Sequence, residues 1–300
     1  MSSIASKVPR VSEAAVSETA VSAGGTLYVV ATPIGNLEDL TFRALRILRE
    51  VDLVAAEDTR HSRKLFSHYG IATPLTSCFA HNELRKSDEL LRHLAAGRSL
   101  ALITDAGTPA ISDPGYLLVR RCLEAGHAVV PVPGPAAAIT ALSVAGQPVD
   151  RFAFEGFLPS RAAARRSQLE RLAAEERSLV FYEAPHRLLA TLSAIAAVCG
   201  AERGLTVARE LTKLHEEIFR GTVGSALEHF GAGRVRGELV LVLAPALPAR
   251  PEETVREALL RKRRTGDLPP RQLAREVARE LGVSGDEVYR EVLRLKDEEG

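Results

Sequence analysis

An apolar strand that ends directly in a loop of acidic, small and turn-forming residues is the feature that most constrains this chain. The strand is predicted over residues 99–104, and the loop over residues 105–115 reads DAGTPAISDPG. Ligands of open α/β sheets bind in the crevice at the carboxyl ends of the strands. Asp105 can accept hydrogen bonds there, and Gly107 and Gly115 let a ligand approach the backbone closely. An ordinary tight connection between a strand and a helix remains the alternative for this loop taken alone.

The spacing of apolar residues predicts strands that alternate with helices. In the first half, strands are expected at residues 26–31, 51–56, 99–104 and 128–132, and helices at 40–50, 63–69, 87–96, 115–125 and 136–143. Such alternation is typical of βαβ units in a mostly parallel sheet. In the second half, strands are expected at 178–182, 205–209, 216–222 and 238–244, and helices at 161–176, 188–198 and 223–229.

The predicted organisation is an α/β fold followed by a small helical piece. A disordered leader is expected over residues 1–25, an N-terminal α/β domain over 26–145, and a C-terminal α/β domain over 146–248, which begins with a crossing segment at 146–157. The tail, 249–300, holds helical patterns at 271–281 and 286–293, joined by a short segment with two glycines. That pattern predicts a helix-turn-helix, and a plain helical hairpin is the alternative.

Composition narrows the class of protein. The formal net charge is only +1, so any basic surface for nucleic acid must be local, and the scarcity of aromatic residues argues against binding single strands mainly by stacking. Cys78, Cys122 and Cys199 lie far apart, which predicts a reduced, cytoplasmic protein. No metal is expected, because the sequence has no HExxH or spaced histidine pair. Prolines interrupt the uncharged stretch 128–149, so we expect no membrane span.

Polar or small residues also follow the other strands of the first half. The loop TPIGN at 32–36 lacks the glycine pattern of dinucleotide enzymes and the lysine of phosphate-binding loops, which argues against both classes. The segment EDTRH at 57–61 is either a substrate-facing patch or a solvated helix cap. The small residues PGPAAA at 133–138 would admit the flat ring or the methionine part of a ligand, or would serve close packing of a helix on a strand.

Two polar segments follow strands of the second half, FYEAPHR at 181–187 and RELTKLHEE at 209–217. If both face the first domain, they line a ligand cleft between the domains. The alternative is a structural network of ion pairs, such as Arg209 with Glu183.

Six of these segments, taken in order, resemble one known family. They are ATPIGNL at 31–37, AEDTR at 56–60, DAGTPAISDPG at 105–115, PGP at 133–135, FYEAPHR at 181–187 and RELTK at 209–213. The chain resembles the tetrapyrrole methylase superfamily and, within it, the ribosomal RNA small-subunit methyltransferase I family. The resemblance implies a homodimer of two-domain α/β chains with S-adenosylmethionine in the cleft between the domains. It also implies 2′-O-methylation of a cytidine ribose in the decoding region of 16S rRNA, in the small ribosomal subunit.

Carried over residue by residue, the resemblance implies a set of cofactor contacts. They would be Pro33, Gly35, Asp105, Gly107, Thr108, Ile111, Ala136, Tyr182 and Ala208, with the backbone around Gly237 and Leu239.

Methyl transfer to a ribose hydroxyl needs alignment of the oxygen and gains from a positioned base. The candidates are Lys213, Glu210, Glu183, His186 and His215. We expect Lys213 to be the base, oriented by Glu210 or Glu183, provided that burial or nearby cations lower its pKa.

Local clusters of basic residues are candidates for RNA binding, with solvated surface as the alternative for each. They are Arg60, Arg63, Lys64, Arg161, Arg165 and Arg166, with Arg171 and the basic run at 261–264 as further members.

Two other functions stay open on the sequence alone. One is a tetrapyrrole methyltransferase of the same fold, although such an enzyme needs neither a basic helix nor a helical tail. The other is a noncatalytic ribosome-binding factor, against which the intact loop at Asp105 argues.

Overall fold

The computed structural model describes residues 24–79, 82–246, 254–265 and 268–298. The chain divides into two compact units between Ala246 and Leu247. The leader expected over residues 1–25 lies outside the described residues except for Gly24 and Gly25, and the boundary expected at residue 248 also falls outside them. The division of the first unit into two α/β domains stays a prediction.

The first sheet is parallel throughout, as the sequence predicts. Its strands are β1 (Leu27–Val30), β2 (Leu53–Ala56), β3 (Leu75–Ser77), β4 (Leu100–Ile103) and β5 (Val129–Val132), in the order β3-β2-β4-β1-β5. The helices between and after them are α1 (Phe42–Glu50), α2 (Thr59–Tyr69), α3 (Glu83–Ala95), α4 (Tyr116–Glu124) and α5 (Ala137–Val144). The strand β3 is a short element that the sequence pattern did not predict.

Capping residues explain where some of these helices begin. Thr41 accepts a hydrogen bond from the Ala44 N–H at 3.1 Å at the start of α1. Asp58 does the same for the Arg60 N–H at 2.8 Å, so α2 begins at Thr59 rather than at the expected residue 63. The charged segment after β2 is therefore mostly the first turn of a helix.

The second sheet is mixed. Its strands are β6 (Phe152–Phe157), β7 (Ser178–Glu183), β8 (Gly204–Arg209), β9 (Glu217–Thr222) and β10 (Leu239–Leu243), in the order β6-β7-β10-β8-β9. Only β6 and β7 are parallel, and the other neighbouring pairs are antiparallel. A short loop joins β8 to β9, which antiparallel neighbours permit and parallel neighbours do not. The end of the expected crossing segment forms the edge strand β6.

The two faces of the second sheet pack against different helices. One face, with Phe181 and Leu241, lies in a core shared with α6 (Ala162–Leu172), α7 (Leu188–Cys199) and α8 (Val223–Gly231). The other face, with Val180 and Val240, packs on α5. Because α5 directly follows the last strand of the first sheet, this packing brings the strand ends of the first sheet close to the second sheet.

The second unit is a small bundle of three helices, α9 (Val255–Thr265), α10 (Pro270–Leu281) and α11 (Gly285–Glu298). Leu259, Val277 and Val292 lie in its core. The sequence predicted α10 and α11 but not α9. The basic residues at the end of α9 made its apolar face hard to recognise in the sequence. No helix in the described part of the chain is long and apolar enough to cross a membrane.

Candidate functional site

Three loops at the carboxyl ends of the first sheet are joined by hydrogen bonds. Thr32 after β1 and Gly107 after β4 exchange backbone hydrogen bonds of 2.9 and 3.0 Å. The Thr108 hydroxyl donates to the Pro135 carbonyl after β5 at 3.4 Å. Gly107 has a φ of 85°, a conformation that favours glycine and lets the loop turn back onto Thr32. The loops after β1, β4 and β5 therefore form one continuous surface.

Carboxylates cluster beside this surface. The Asp105 Oδ1 accepts a hydrogen bond from the Asp58 N–H at 3.1 Å, and the Thr104 hydroxyl donates to Glu57 Oε2 at 2.6 Å. Burial raises the pKa of Asp105. Burial also raises the pKa of Asp113 to about 6, against the lowering effect of the Thr104 hydroxyl. The site is therefore acidic and partly dehydrated.

The second sheet places one row of side chains next to α5. Tyr182, Val240 and Ala208 are register partners across β7, β10 and β8. Burial raises the pKa of the Tyr182 hydroxyl, although a hydrogen bond from the Ala138 backbone opposes the shift. The register brings Tyr182 and Ala208 to one place although they are far apart in sequence.

The loop after β1 also touches the loop between β8 and β9. A Cβ on Gly35 would lie 2.5 Å from Lys213 Cγ and 2.8 Å from Thr212 Oγ1, so only a glycine fits there without displacement. This contact joins the loop after β1 to the loop that follows β8.

Lys213 lies between two carboxylates. Its Nζ donates to Glu210 Oε1 at 2.7 Å and to Glu238 Oε2 at 3.1 Å. Burial would lower the pKa of Lys213, but the hydrogen bonds from the ammonium to the two carboxylates and their negative charge raise it overall. Lys213 is therefore an ammonium ion at neutral pH in this structure. Its surroundings do not lower its pKa, as a lysine that acts as a base near neutral pH requires.

The comparison with known proteins identifies the family. The model for Tetrapyrrole (Corrin/Porphyrin) Methylases matches residues 26–227. The chain is also 49% identical over 276 residues to the Ribosomal RNA small subunit methyltransferase I of Synechocystis, covering 91% of this chain and 99% of that one. The chain belongs to the ribosomal RNA small subunit methyltransferase I family of tetrapyrrole methylases. The protein of the same name from Escherichia coli O157:H7 is 47% identical over 284 residues, with 92% and 97% of the two chains covered.

Solved structures of the superfamily share the fold. A cobalt precorrin-4 methyltransferase aligns with a TM-score of 0.57 at 16% identity, covering 73% of this chain and 94% of that chain. The uroporphyrin-III C-methyltransferase of Thermus thermophilus, complexed with S-adenyl homocysteine, aligns with a TM-score of 0.53 at 20% identity, covering 73% and 97%. The expected tetrapyrrole methylase fold is thus confirmed.

The cofactor residues implied by family resemblance mostly meet at this site. The loop and strand contacts described above involve six of them, Gly35, Asp105, Gly107, Thr108, Tyr182 and Ala208. Pro33 and Ala136 lie half-buried in the loops after β1 and β5, and Ile111 is exposed beyond Thr108. Leu239 packs its side chain into the core on the opposite face of the sheet, so it and Gly237 offer the site only backbone.

The candidate catalytic residues separate into different surroundings. The structure brings Lys213 and Glu210 together, whereas Glu183 is only 2% exposed and belongs to another network. Glu183 accepts hydrogen bonds from the Thr191 hydroxyl at 2.5 Å and the Ala184 N–H at 2.8 Å, and Arg187 lies 3.2 Å away. It is therefore not placed to orient Lys213. His186 and His215 are exposed on the surface.

The alternative interpretation, a structural ion pair between Arg209 and Glu183, is not what the structure shows. Arg209 pairs with Glu217 at 2.8 Å instead. The reason is strand order, since Leu239 of β10 lies between Arg209 and Glu183 in the register of the sheet.

Most of the basic residues predicted to bind RNA are exposed, but Arg165 is not. Arg165 is 8% exposed and its Nη1 donates to the Ser160 carbonyl at 3.4 Å. It shares the inner face of α6 with Leu169, one turn later, so the structure corrects its assignment to a phosphate-binding surface. The others are Arg60, Arg63, Lys64, Arg161, Arg166 and Arg171, of which Arg60 pairs with Asp58 and Arg166 with Glu170.

Sequence reasoning missed two residues of this site. Asp113 lay within the quoted loop but received no role, and Glu238 was treated as the start of a strand. A second acidic residue in the glycine- and proline-rich loop was an available signal for Asp113. No local signal marks Glu238, because its contact with Lys213 depends on the pairing of distant strands.

Proposed function

We propose that this protein transfers the methyl group of S-adenosylmethionine to the 2′-oxygen of a cytidine ribose in the decoding region of 16S rRNA. The observation that carries the proposal is 49% identity over 91% of the chain to a protein named Ribosomal RNA small subunit methyltransferase I. The convergence of the strand-end loops with Tyr182, Ala208 and Lys213 supports it independently. The chain would act on the small ribosomal subunit as a homodimer.

The residues at the strand ends fit S-adenosylmethionine. Asp105 is partly exposed, with a carboxylate available to ribose hydroxyls or to the amine of the ligand. A Cβ on Gly107 would meet no atom closer than Ile34 Cγ2 at 3.5 Å and the Pro135 carbonyl at 3.8 Å, so neighbouring side chains do not crowd this part of the loop. Ala136 and Ala137 add further small side chains. When bound, S-adenosylmethionine supplies a methyl group already activated by its sulfonium.

The work left to the protein is to align the ribose hydroxyl and to remove its proton. Alignment is expected to supply most of the acceleration, up to about 7–11 kcal/mol. Lys213, oriented by Glu210, is our candidate for the proton acceptor. Only the neutral amine of Lys213 can accept a proton. Because the hydrogen bonds and charges of Glu210 and Glu238 raise its pKa, the neutral fraction is small at neutral pH, and we expect the rate to rise as the pH becomes alkaline.

The test is methyl transfer from labelled S-adenosylmethionine to purified small ribosomal subunits that lack the modification. We expect label in 16S rRNA, recovered after digestion as a 2′-O-methylated cytidine. The D105N variant is the matched loss-of-function control. It keeps the size of the Asp105 side chain and removes the charge that is proposed to contact S-adenosylmethionine. Label in a base, in another nucleoside, or in an added porphyrinoid instead of rRNA would overturn the proposal.

A further inference from the structure

Two loops lie side by side and are linked by Lys213, which belongs to the first of them; we call them the paired loops. Residues 210–216 join β8 to β9, and residues 232–238 join α8 to β10. The Glu210 N–H donates to the Glu238 carbonyl at 2.9 Å, and the Glu238 N–H donates to Glu210 Oε1 at 3.0 Å. Lys213 Nζ binds both of these glutamates. The paired loops are therefore one connected surface rather than two independent loops.

The first of the paired loops holds an unusual backbone and presents an apolar tip. Glu210 and Thr212 have backbone φ values of 52° and 66°, which residues other than glycine rarely adopt. The Thr212 N–H donates to Glu216 Oε2 at 2.6 Å and stabilises this turn. Leu214, at its tip, is 93% exposed. Backbone strain that the surroundings maintain is concentrated at functional sites.

The second of the paired loops presents two cations. Arg234 and Arg236 are exposed, while Val235 between them packs against the core of the sheet. Neither arginine forms a salt bridge with any residue in the described part of the chain. The acidic residues nearby already have partners, because Lys213 engages Glu210 and Glu238. The two guanidinium groups are therefore available to an external anion.

We propose that the paired loops bind the RNA strand beside the target nucleotide. Arg234 and Arg236 would contact phosphates, and Leu214 would pack against an unstacked base. Arginine is well suited to phosphate recognition, and apolar side chains pack against bases that have left the stack. The inference rests on the proposed function, because it places this RNA next to the loop of Gly35, which contacts Lys213.

The chemistry of the surface favours RNA over a second copy of the chain. A stable protein interface needs a sizeable and closely packed apolar area. The paired loops offer one exposed large apolar side chain, Leu214, and two arginines without a salt bridge in the described part of the chain. A polyanion with exposed bases matches both features.

The experiment compares full-length variants for binding to small ribosomal subunits that lack the modification. The variants are R234Q/R236Q and L214S, and the matched control is R43Q/R85Q, which removes two exposed arginines from α1 and α3. Equilibrium binding is measured at several salt concentrations. Steady-state methylation, S-adenosylmethionine affinity and sedimentation of the free protein are measured on the same samples.

We expect R234Q/R236Q to lower subunit affinity on the order of tenfold and to reduce the slope of log K against log salt by about 2. L214S should lower kcat/KM on the order of tenfold, because the leucine would no longer be buried against a base. S-adenosylmethionine affinity and sedimentation should match the wild type for both.

Subunit affinity and salt slope equal to those of the control would overturn the inference. So would a change in the oligomeric state of R234Q/R236Q or L214S without a change in RNA affinity, since the surface would then be a contact between copies. If the wild type binds subunits but transfers no methyl group, the proposed function fails, and the binding comparison still decides the role of the paired loops.

Discussion

Gly35 and Lys213 are in direct contact across the candidate site. A Cβ on Gly35 would lie 2.5 Å from Lys213 Cγ, with the Leu211 carbonyl at 3.0 Å. The loop that follows the first strand therefore packs against the loop that carries the candidate proton acceptor. This contact ties the strand-end loops of the first sheet to a loop of the second, so a change at either residue is expected to act on the other.

We expect Gly35→Ala to lower kcat/KM for the small ribosomal subunit by on the order of tenfold or more, because the new methyl group must displace Lys213 and the backbone behind it. The measurement is steady-state methylation together with S-adenosylmethionine affinity. Gly285→Ala is the control, since a Cβ there would meet open space. Unchanged kinetics for Gly35→Ala would show that the contact has no role in the reaction.

Lys213→Ala should lower kcat by on the order of 10²-fold and leave S-adenosylmethionine affinity unchanged. For the wild type, kcat should rise with pH, because the carboxylates of Glu210 and Glu238 raise the pKa of Lys213 above its ordinary 10.5. Lys86→Ala is the control, since it removes a partly buried lysine of α3 that likewise pairs with a glutamate, Glu89. Near-normal turnover of Lys213→Ala, or a pH profile that the substitution does not alter, would remove Lys213 from the mechanism.

Asp113→Asn is expected to stabilise the protein at neutral and alkaline pH. The pKa of Asp113 is about 6 in the folded chain against an ordinary 3.8, so ionisation disfavours the folded state. The favourable contribution is complete below pH 3.8 and is lost as the pH rises through 6. After allowance for solvent screening, the gain at pH 8 is about 1 kcal/mol.

Denaturant unfolding at several pH values checks this prediction. The curves of Asp113→Asn and the wild type should converge below pH 3.8 and separate above it. Asp52→Asn serves as a control of opposite sign, because hydrogen bonds from Ser99 lower the pKa of Asp52. Equal stability of Asp113→Asn and wild type at pH 8 would show that the Asp113 carboxyl is not held in a dehydrated environment.

The helical tail carries a row of arginines on α10, which allows a test of whether the tail binds RNA. Arg271, Arg275 and Arg279 lie four residues apart on the exposed face of α10 and line one groove. The acidic residues of α10 are already engaged, since Glu276 lies 3.1 Å from Lys262 and Glu280 lies 3.3 Å from it.

Substituting all three α10 arginines by glutamine should weaken subunit binding and lower the salt slope by about 3, with S-adenosylmethionine affinity unchanged. The control is R43Q/R85Q/R151Q, which changes the net charge equally on the first unit. If the two triple variants bind subunits equally well at every salt concentration, α10 does not contact the RNA.

Much of the first sheet follows from local sequence patterns. Buried β-branched and leucine-rich segments predicted β1, β2, β4 and β5, because strands of a parallel sheet are covered on both faces. The same patterns missed β3, which is short, and β6, which lies at a sheet edge and is partly exposed. The sequence pattern also did not predict which strands of the second sheet are parallel and which are antiparallel. A helix between two strands does not determine which neighbours they pair with.

The sequence likewise identified some residues of the candidate site and missed others. The loop at Asp105 and the segment around Lys213 were identifiable, because polar and small residues directly after apolar strands are locally unusual. Their partners were not. Glu238 meets Lys213 only because β10 pairs with β8, and Arg165 is buried only because its face of α6 packs on the sheet.

The sequence by itself determined the order of strands and helices in most of the chain, the family, and the loops that form the candidate site. The tertiary structure decided which charged groups are neighbours, that Leu239 separates Arg209 from Glu183, and that Lys213 is held as a cation. The physical reason is that helix and strand patterns depend on neighbours along the chain. Ion pairs, burial and pKa values depend instead on residues that strand pairing brings together from distant positions.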